Sequence, residues 1–155
     1  MQPRVILLWV VTIAWAGTIG VLSTGSYSNS VTGWLLGQIF YSLHIHLTPH
    51  SFERIHFLIR KLAHCSEYGV FGLLLYHSLE PRHPERWDFR GACGALIIAG
   101  LYSLTDEYHQ SFVPGRTASL VDCGIDTGGA LFGMVFLYAA RRLQSVLPKG
   151  NKPVS

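Results

Sequence analysis

Two carboxylates stand side by side at Asp106-Glu107, followed at short steps by Gln110, a Pro114-Gly115 turn and Arg116. The run leading into them, Gly91 through Leu104, carries no charge and reads as the body of a membrane-spanning helix. Ionisable groups at such a depth are costly unless paired or put to use, so this pair needs partners. Two other stretches offer them. Lys61, His64 and Tyr68 fall at i, i+3 and i+7 and share a helix face, with Glu67 at its edge. Ser119, Asp122, Asp126, Gly129 and Gly133 mark one stripe of a later helix. If the three stripes face each other, they enclose a pocket with one histidine, one lysine, one arginine and up to five carboxylates.

Two chemistries are open to such a pocket. In one, a divalent metal is held by His64, Glu107 and Asp126, or with Asp106 among the ligands, and a metal-activated water attacks a phosphate or acyl ester. The ligand types suit this, but their spacing matches no standard metal motif. In the other, His64 is a general base oriented by an acidic neighbour, while Lys61 and Arg116 neutralise an anionic headgroup. The candidate catalytic residues are Lys61, His64, Glu67, Asp106, Glu107, Gln110 and Arg116. The candidate substrate-binding residues are Tyr68, Arg116, Ser119, Asp122 and Asp126. The competing account is structural: a charge-balanced clamp in which Arg116 pairs with Asp122 while Arg60 and Lys61 snorkel to the interface. A proton or ion pathway fits less well, because the polar groups occupy one end of the membrane. Whether the protein is an enzyme is left open by the residues alone.

The elements that would position these groups are all helical. Residues 5–22 carry no charge and are long enough for a first span. They exceed the usual apolar core of a signal peptide, and no small-residue cleavage site follows. Residues 31–43 have a helical rhythm but are too short to span, which predicts an interfacial or re-entrant helix with Trp34 and Tyr41 at headgroup level. Thr48-Pro49 reads as an N-cap with proline at the first helical position. From there one long helix is expected, with residues 58–79 as the second span. Residues 91–109 and 117–140 make the third and fourth spans. Gly124-xxx-Gly128 and Gly129-xxx-Gly133 give the spacing that lets helices approach closely, within one chain or between two. The fold class expected is therefore all-α, with four transmembrane helices and one interfacial helix in a single domain of residues 1–145, followed by a flexible tail over 146–155.

Composition agrees. The chain has 155 residues, 49% hydrophobic and 14% charged, where soluble domains carry about a quarter charged. Mean hydropathy is +0.30. A net charge of +3 without any basic run argues against nucleic acid as a partner. Cys65, Cys93 and Cys123 lie in apolar segments without CxxC spacing and read as small buried hydrophobes. Four spans place Arg4, Arg82, Arg86, Arg90, Arg141, Arg142, Lys149 and Lys152 on one side and Arg54, Arg60, Lys61 and Arg116 on the other. That excess predicts both termini in the cytoplasm. The polar residues of all three stripes then converge in the outer third of the membrane.

The combination Arg60-Lys61-xx-His64-xx-Glu67-Tyr68, Asp106-Glu107-xx-Gln110-Ser-Phe-Val-Pro-Gly-Arg116 and Ser119-xx-Asp122-xxx-Asp126-xx-Gly129 resembles the VanZ-like family of small bacterial membrane proteins. The resemblance covers roughly residues 5 to 140. The family is named for a protein of a glycopeptide-resistance cluster linked to teicoplanin tolerance without change to the peptidoglycan stem terminus. It implies a bacterial inner-membrane location, a cell-envelope role in antibiotic resistance, and the lipid bilayer or a lipid-linked cell-wall precursor as partner. It supplies no reaction. Where many members carry asparagine, this chain has Asp126, an additional carboxylate.

Overall fold

The computed structural model describes residues 2–23, 30–79, 87–112 and 119–146. Over these residues the protein consists of helices with no strand. They are α1 (Pro3–Leu22), α2 (Ser30–Ser42), α3 (Pro49–Ser78), α4 (Phe89–Gln110) and α5 (Leu120–Val146). The Pro114-Gly115 turn, Arg116, the loop from Glu80 to Arg86 and the tail beyond Val146 lie outside the described residues.

Local chemistry sets the boundaries. Pro3 and Pro49 each open a helix where a missing N–H costs nothing. Thr48 caps α3, its hydroxyl accepting from the Ser51 N–H at 3.2 Å. Asp88 does the same for α4, accepting from the Arg90 N–H at 3.0 Å. The short helix α2 starts at Ser30 itself. It ends through a left-handed His44 (φ 56°), with the Ile45 N–H closing back on the Phe40 carbonyl at 2.9 Å. The last helix continues to Val146, past the end expected near residue 140.

Two helices, α1 and α5, are long and apolar enough to cross a membrane by length and composition alone. The other two expected spans fall short of that measure for a physical reason. Across its 30 residues α3 carries Glu53, Arg54, Arg60, Lys61 and Glu67, and α4 carries Arg90, Asp106 and Glu107 among glycines and alanines. Lys61, Glu67, Asp106 and Glu107 among these belong to the polar stripes, so the site itself contributes to lowering the hydropathy of its helices. At about 1.5 Å per residue α3 is roughly 45 Å long, more than a hydrocarbon core of about 30 Å.

The distribution of side chains is inverted relative to a water-soluble bundle. Large apolar residues point outward, among them Leu7, Ile13, Ile97, Leu101, Phe132 and Phe136, all more than half exposed. Inside, large side chains such as Tyr68, Leu75, Tyr76 and Met134 pack beside runs of small residues. Ala92, Ala95 and Ala99 of α4 are buried together with Gly129, Ala130 and Gly133 of α5. Surrounded by hydrocarbon, helices gain little from hiding apolar area and associate through close packing and hydrogen bonds, which this arrangement favours.

Helix α3 is the central strut, packed against α1, α4 and α5. Its closest seam is with α5. A Cβ at Gly129 would run into the Cys65 carbonyl, and one at Gly133 would lie 2.8 Å from the Gly69 carbonyl. One at Gly72 would lie 3.0 Å from Ala130 Cβ. Gly124 and Gly128 meet nothing within 4 Å, so only the Gly129-xxx-Gly133 half of the paired spacing builds this seam. Helix α1 docks through Thr12, whose buried hydroxyl lies 2.8 Å from Ser78 Oγ, and through Tyr102 of α4, whose hydroxyl donates to the Ala16 carbonyl at 2.6 Å. At the far end of α3, Tyr76 stacks on Trp87 (centroids 5.1 Å apart), and its hydroxyl accepts from Arg141 Nη1 at 3.2 Å. This closes the end of the bundle remote from the carboxylates.

Candidate functional site

One periodicity explains where the site lies. The buried stripe of α4 runs Ala92, Ala95, Ala99, Ser103, Asp106, Gln110, steps of three and four along a single face. Its first half is alanine and its second half is polar. The inward stripe of α3 makes the same change in the opposite sense, from Lys61 and His64 to Tyr68, Phe71, Leu75 and Tyr76. On α5, Asp122 and Asp126 give way to Gly129, Ala130 and Gly133. Because α4 runs opposite to its two neighbours, the three polar halves meet at one end of the bundle.

Asp106 and Asp126 are the most buried of the carboxylates, 5% and 2% exposed. Both hydrogen bonds to Asp106 arrive at Oδ2, from Ser23 Oγ at 2.8 Å and Gln110 Nε2 at 2.9 Å. Asp126 accepts from Ser103 Oγ at 3.0 Å, also through Oδ2. Its other oxygen lies 4.0 Å from His64 Nδ1. The same imidazole nitrogen lies 3.9 Å from Glu67 Oε2. One ligand atom each from His64, Asp106 and Asp126 can be chosen so that all lie within 4.8 Å of one another. Tyr68 is fully buried, and its hydroxyl meets no partner at hydrogen-bond geometry among the described residues.

Nearer the surface the contacts are of a different kind. Lys61 Nζ bonds Asp122 Oδ1, with both side chains about a quarter exposed, and the ammonium also lies 5.2 Å from the Phe57 ring. Glu107 is buried, but its Oε2 accepts from the Ser119 N–H at 2.8 Å at the start of α5. Ser119 Oγ in turn accepts from the Val121 N–H at 3.2 Å. A carboxylate and a hydroxyl thus meet otherwise unpaired N–H groups at a helix N-terminus, where negative charge is favoured.

The structure therefore brings together Lys61, His64, Glu67, Tyr68, Asp106, Glu107, Gln110, Ser119, Asp122 and Asp126, while Arg116 lies outside the described residues. It divides them into a deep group around His64, Asp106 and Asp126 and a capping group around Glu107, Ser119, Lys61 and Asp122. In the cluster of ligand atoms the third member beside His64 and Asp126 is Asp106, one of the two adjacent carboxylates between which the sequence left the choice open. Asp122 is bonded by Lys61; the Arg116 pairing of the structural account involves a residue outside those described. Three participants were not singled out from the sequence. Ser103 lies three residues before Asp106 on the same face, a spacing that could have drawn attention to it. Ser23 is fully buried at the end of α1, and Trp15 Nε1 donates to the Glu67 carbonyl at 3.0 Å. Neither carries a sequence signal, since both depend on how α1 docks.

Outside the cluster, His56 Nε2 lies 2.9 Å from Thr32 Oγ1 and ties α2 to α3. Partial burial, and secondarily the Arg60 charge, pull the His56 imidazole below its ordinary pKa. A groove between α1 and α4 lined by Gly17, Gly20, Val21, Tyr102 and Thr105 reaches Asp106 from the side of the bundle.

An apolar-sheathed helical bundle with small residues at its seams and carboxylates at one end has the make-up of a small helical membrane protein. The VanZ/LLP1 family model matches residues 5–141, most of the chain, and the protein belongs to this VanZ-like family. No curated protein and no solved structure matches the chain.

Proposed function

We propose that the protein crosses the bacterial cytoplasmic membrane four times, through α1, α3, α4 and α5, with both termini in the cytoplasm and the polar cluster toward the outer leaflet. There it binds or modifies a lipid or lipid-linked cell-wall precursor and so alters susceptibility to glycopeptides such as teicoplanin. The observation that carries this reading is the lateral groove between α1 and α4 that ends at Asp106. An acyl or prenyl chain in the bilayer would reach the cluster from the side, through small residues, while its headgroup met the polar end of the bundle. Within the cluster His64 is the group suited to general-base work, positioned near two carboxylates. Lys61 supplies a cation at the mouth, where an anionic headgroup would approach.

A second reading has support of its own. The Lys61–Asp122 pair and the Glu107 contact to Ser119 hold α3, α4 and α5 together, as a non-catalytic accessory protein with a structural clamp would require. The two readings separate in cells expressing native protein, His64→Ala or Asp106→Asn at matched levels in the membrane. Untargeted mass spectrometry of lipids and lipid-linked precursors is expected to find a species that changes with the native protein alone. An identical lipid profile in all three strains would remove the modifying role and leave binding or scaffolding.

A further inference from the structure

We propose that His64, Asp106 and Asp126 form a binding site for one divalent cation, each of three helices contributing one ligand. The three ligand atoms lie within 4.8 Å of one another. Around an ion with bonds of about 2.1 Å, neighbouring ligand atoms stand roughly 3.0 to 3.4 Å apart and no two more than about 4.2 Å, so side-chain shifts on the order of an ångström close the site. The His64 Nδ1 to Asp126 Oδ1 separation of 4.0 Å is too long for a hydrogen bond and suits two ligands of a shared ion.

The carboxylates are already oriented for this. Asp106 takes both of its hydrogen bonds at Oδ2, from Ser23 and Gln110, and Asp126 is held by Ser103 at its own Oδ2. In each case Oδ1 is left for coordination, the arrangement in which outer hydrogen bonds fix inner ligands. These donors are neutral and do not balance the two buried charges, whereas Lys61 is bonded to Asp122 nearer the surface. Burying two carboxylates is costly, and a divalent ion offsets that cost.

A separate observation points into the same space. The Tyr68 hydroxyl is fully buried and meets no partner at hydrogen-bond geometry among the described residues, although Ser103 stands beside it, and it lies within electrostatic reach of both Asp106 and Asp126. Glu67 Oε2, 3.9 Å from His64 Nδ1, is likewise buried without a hydrogen bond. A buried hydroxyl is destabilising until it finds a partner, and water completing the coordination sphere of an ion would supply one. One imidazole with two carboxylates selects a borderline or hard divalent ion of the Mn²⁺ or Zn²⁺ kind.

Mn²⁺ is the probe of choice. Protein purified in detergent through a tag without histidine, and stripped with chelator, is equilibrated with Mn²⁺. Bound ion is measured by electron paramagnetic resonance, and pulsed spectra report directly coordinated nitrogen. The expected result is saturable binding of about one ion with a nitrogen coupling. The coupling should vanish in His64→Gln, and affinity should fall on the order of tenfold or more in Asp126→Asn, with helical circular dichroism confirming both variants folded. Should either variant fail to fold, a chain with His44, His46, His50, His56, His77, His83 and His109 replaced by alanine answers the same question, since His64 is then the one histidine retained. Coupling kept there supports the site, and coupling lost there overturns it. No saturable binding to native protein, bound Mn²⁺ without a nitrogen coupling, or coupling that persists in folded His64→Gln would each overturn it as well. No lipid is present in the assay, so this site and the substrate reading stand or fall separately.

Discussion

Replacing Gly129 by alanine tests whether the close α3–α5 seam governs both the fold and the site. The new methyl would meet the Cys65 carbonyl, which is backbone and cannot rotate aside. The two helices would have to separate by roughly an ångström, and misfits of that order cost about 1–3 kcal/mol, here toward the upper end. Alanine recovers about 1 kcal/mol over glycine in a helix interior, leaving a net loss near 2 kcal/mol. Gly124→Ala and Gly128→Ala are the internal controls, because nothing lies within 4 Å of either position. They should gain up to about 1 kcal/mol from propensity alone. The same substitution on the same helix is thus expected to change sign, with a gap of about 3 kcal/mol. Unfolding in mixed micelles titrated with sodium dodecyl sulfate, followed by circular dichroism, measures it. Gly129 lies one turn beyond Asp126, and Cys65 adjoins His64, so the same widening should weaken Mn²⁺ binding. A folded Gly129→Ala protein as stable as Gly124→Ala would refute the seam and the reasoning built on it.

Two further outcomes are expected. With Cys65, Cys93 and Cys123 replaced by alanine, a cysteine introduced at Pro114 should react with a membrane-impermeant maleimide added outside intact cells, while a reporter fused at Ser155 appears in the cytoplasm. The reverse pattern would turn the cluster inward and remove the cell-wall reading. The buried Thr12–Ser78 contact should show a coupling of about 0.6 kcal/mol, and no more than about 1.7, in a double-mutant cycle of Thr12→Val and Ser78→Ala. Zero coupling would mean that this contact does not hold α1 to α3 and that its docking rests on packing and on the Tyr102 and Trp15 hydrogen bonds.

The helices and the gathering of the polar groups at one end of the bundle were legible because both follow from one-dimensional patterns. Apolar runs set α1 and α5, the Thr48-Pro49 pair marks the start of α3, and steps of three and four put His64 and Tyr68, or Asp106 and Gln110, on shared faces. What spacing does not determine is the rotation of one stripe against another. Asp106 and Glu107 are adjacent, so their side chains diverge by about 100° around the helix, and sequence alone ranks them equally as ligands. The structure separates them through contacts from distant parts of the chain. Ser23 at the end of α1 and Gln110 hold Asp106 in the deep group, whereas the Ser119 N–H holds Glu107 at the start of α5. The same cause divides the glycines of α5. Gly124-xxx-Gly128 and Gly129-xxx-Gly133 are alike as motifs, yet only the second faces α3, where Cys65 and Gly69 present backbone carbonyls. Since Gly129 also lies one turn from Asp126, the rotation that brings glycine against backbone turns that carboxylate toward His64. Packing and site are consequences of a single angle, which is why neither could be read from its own residues alone.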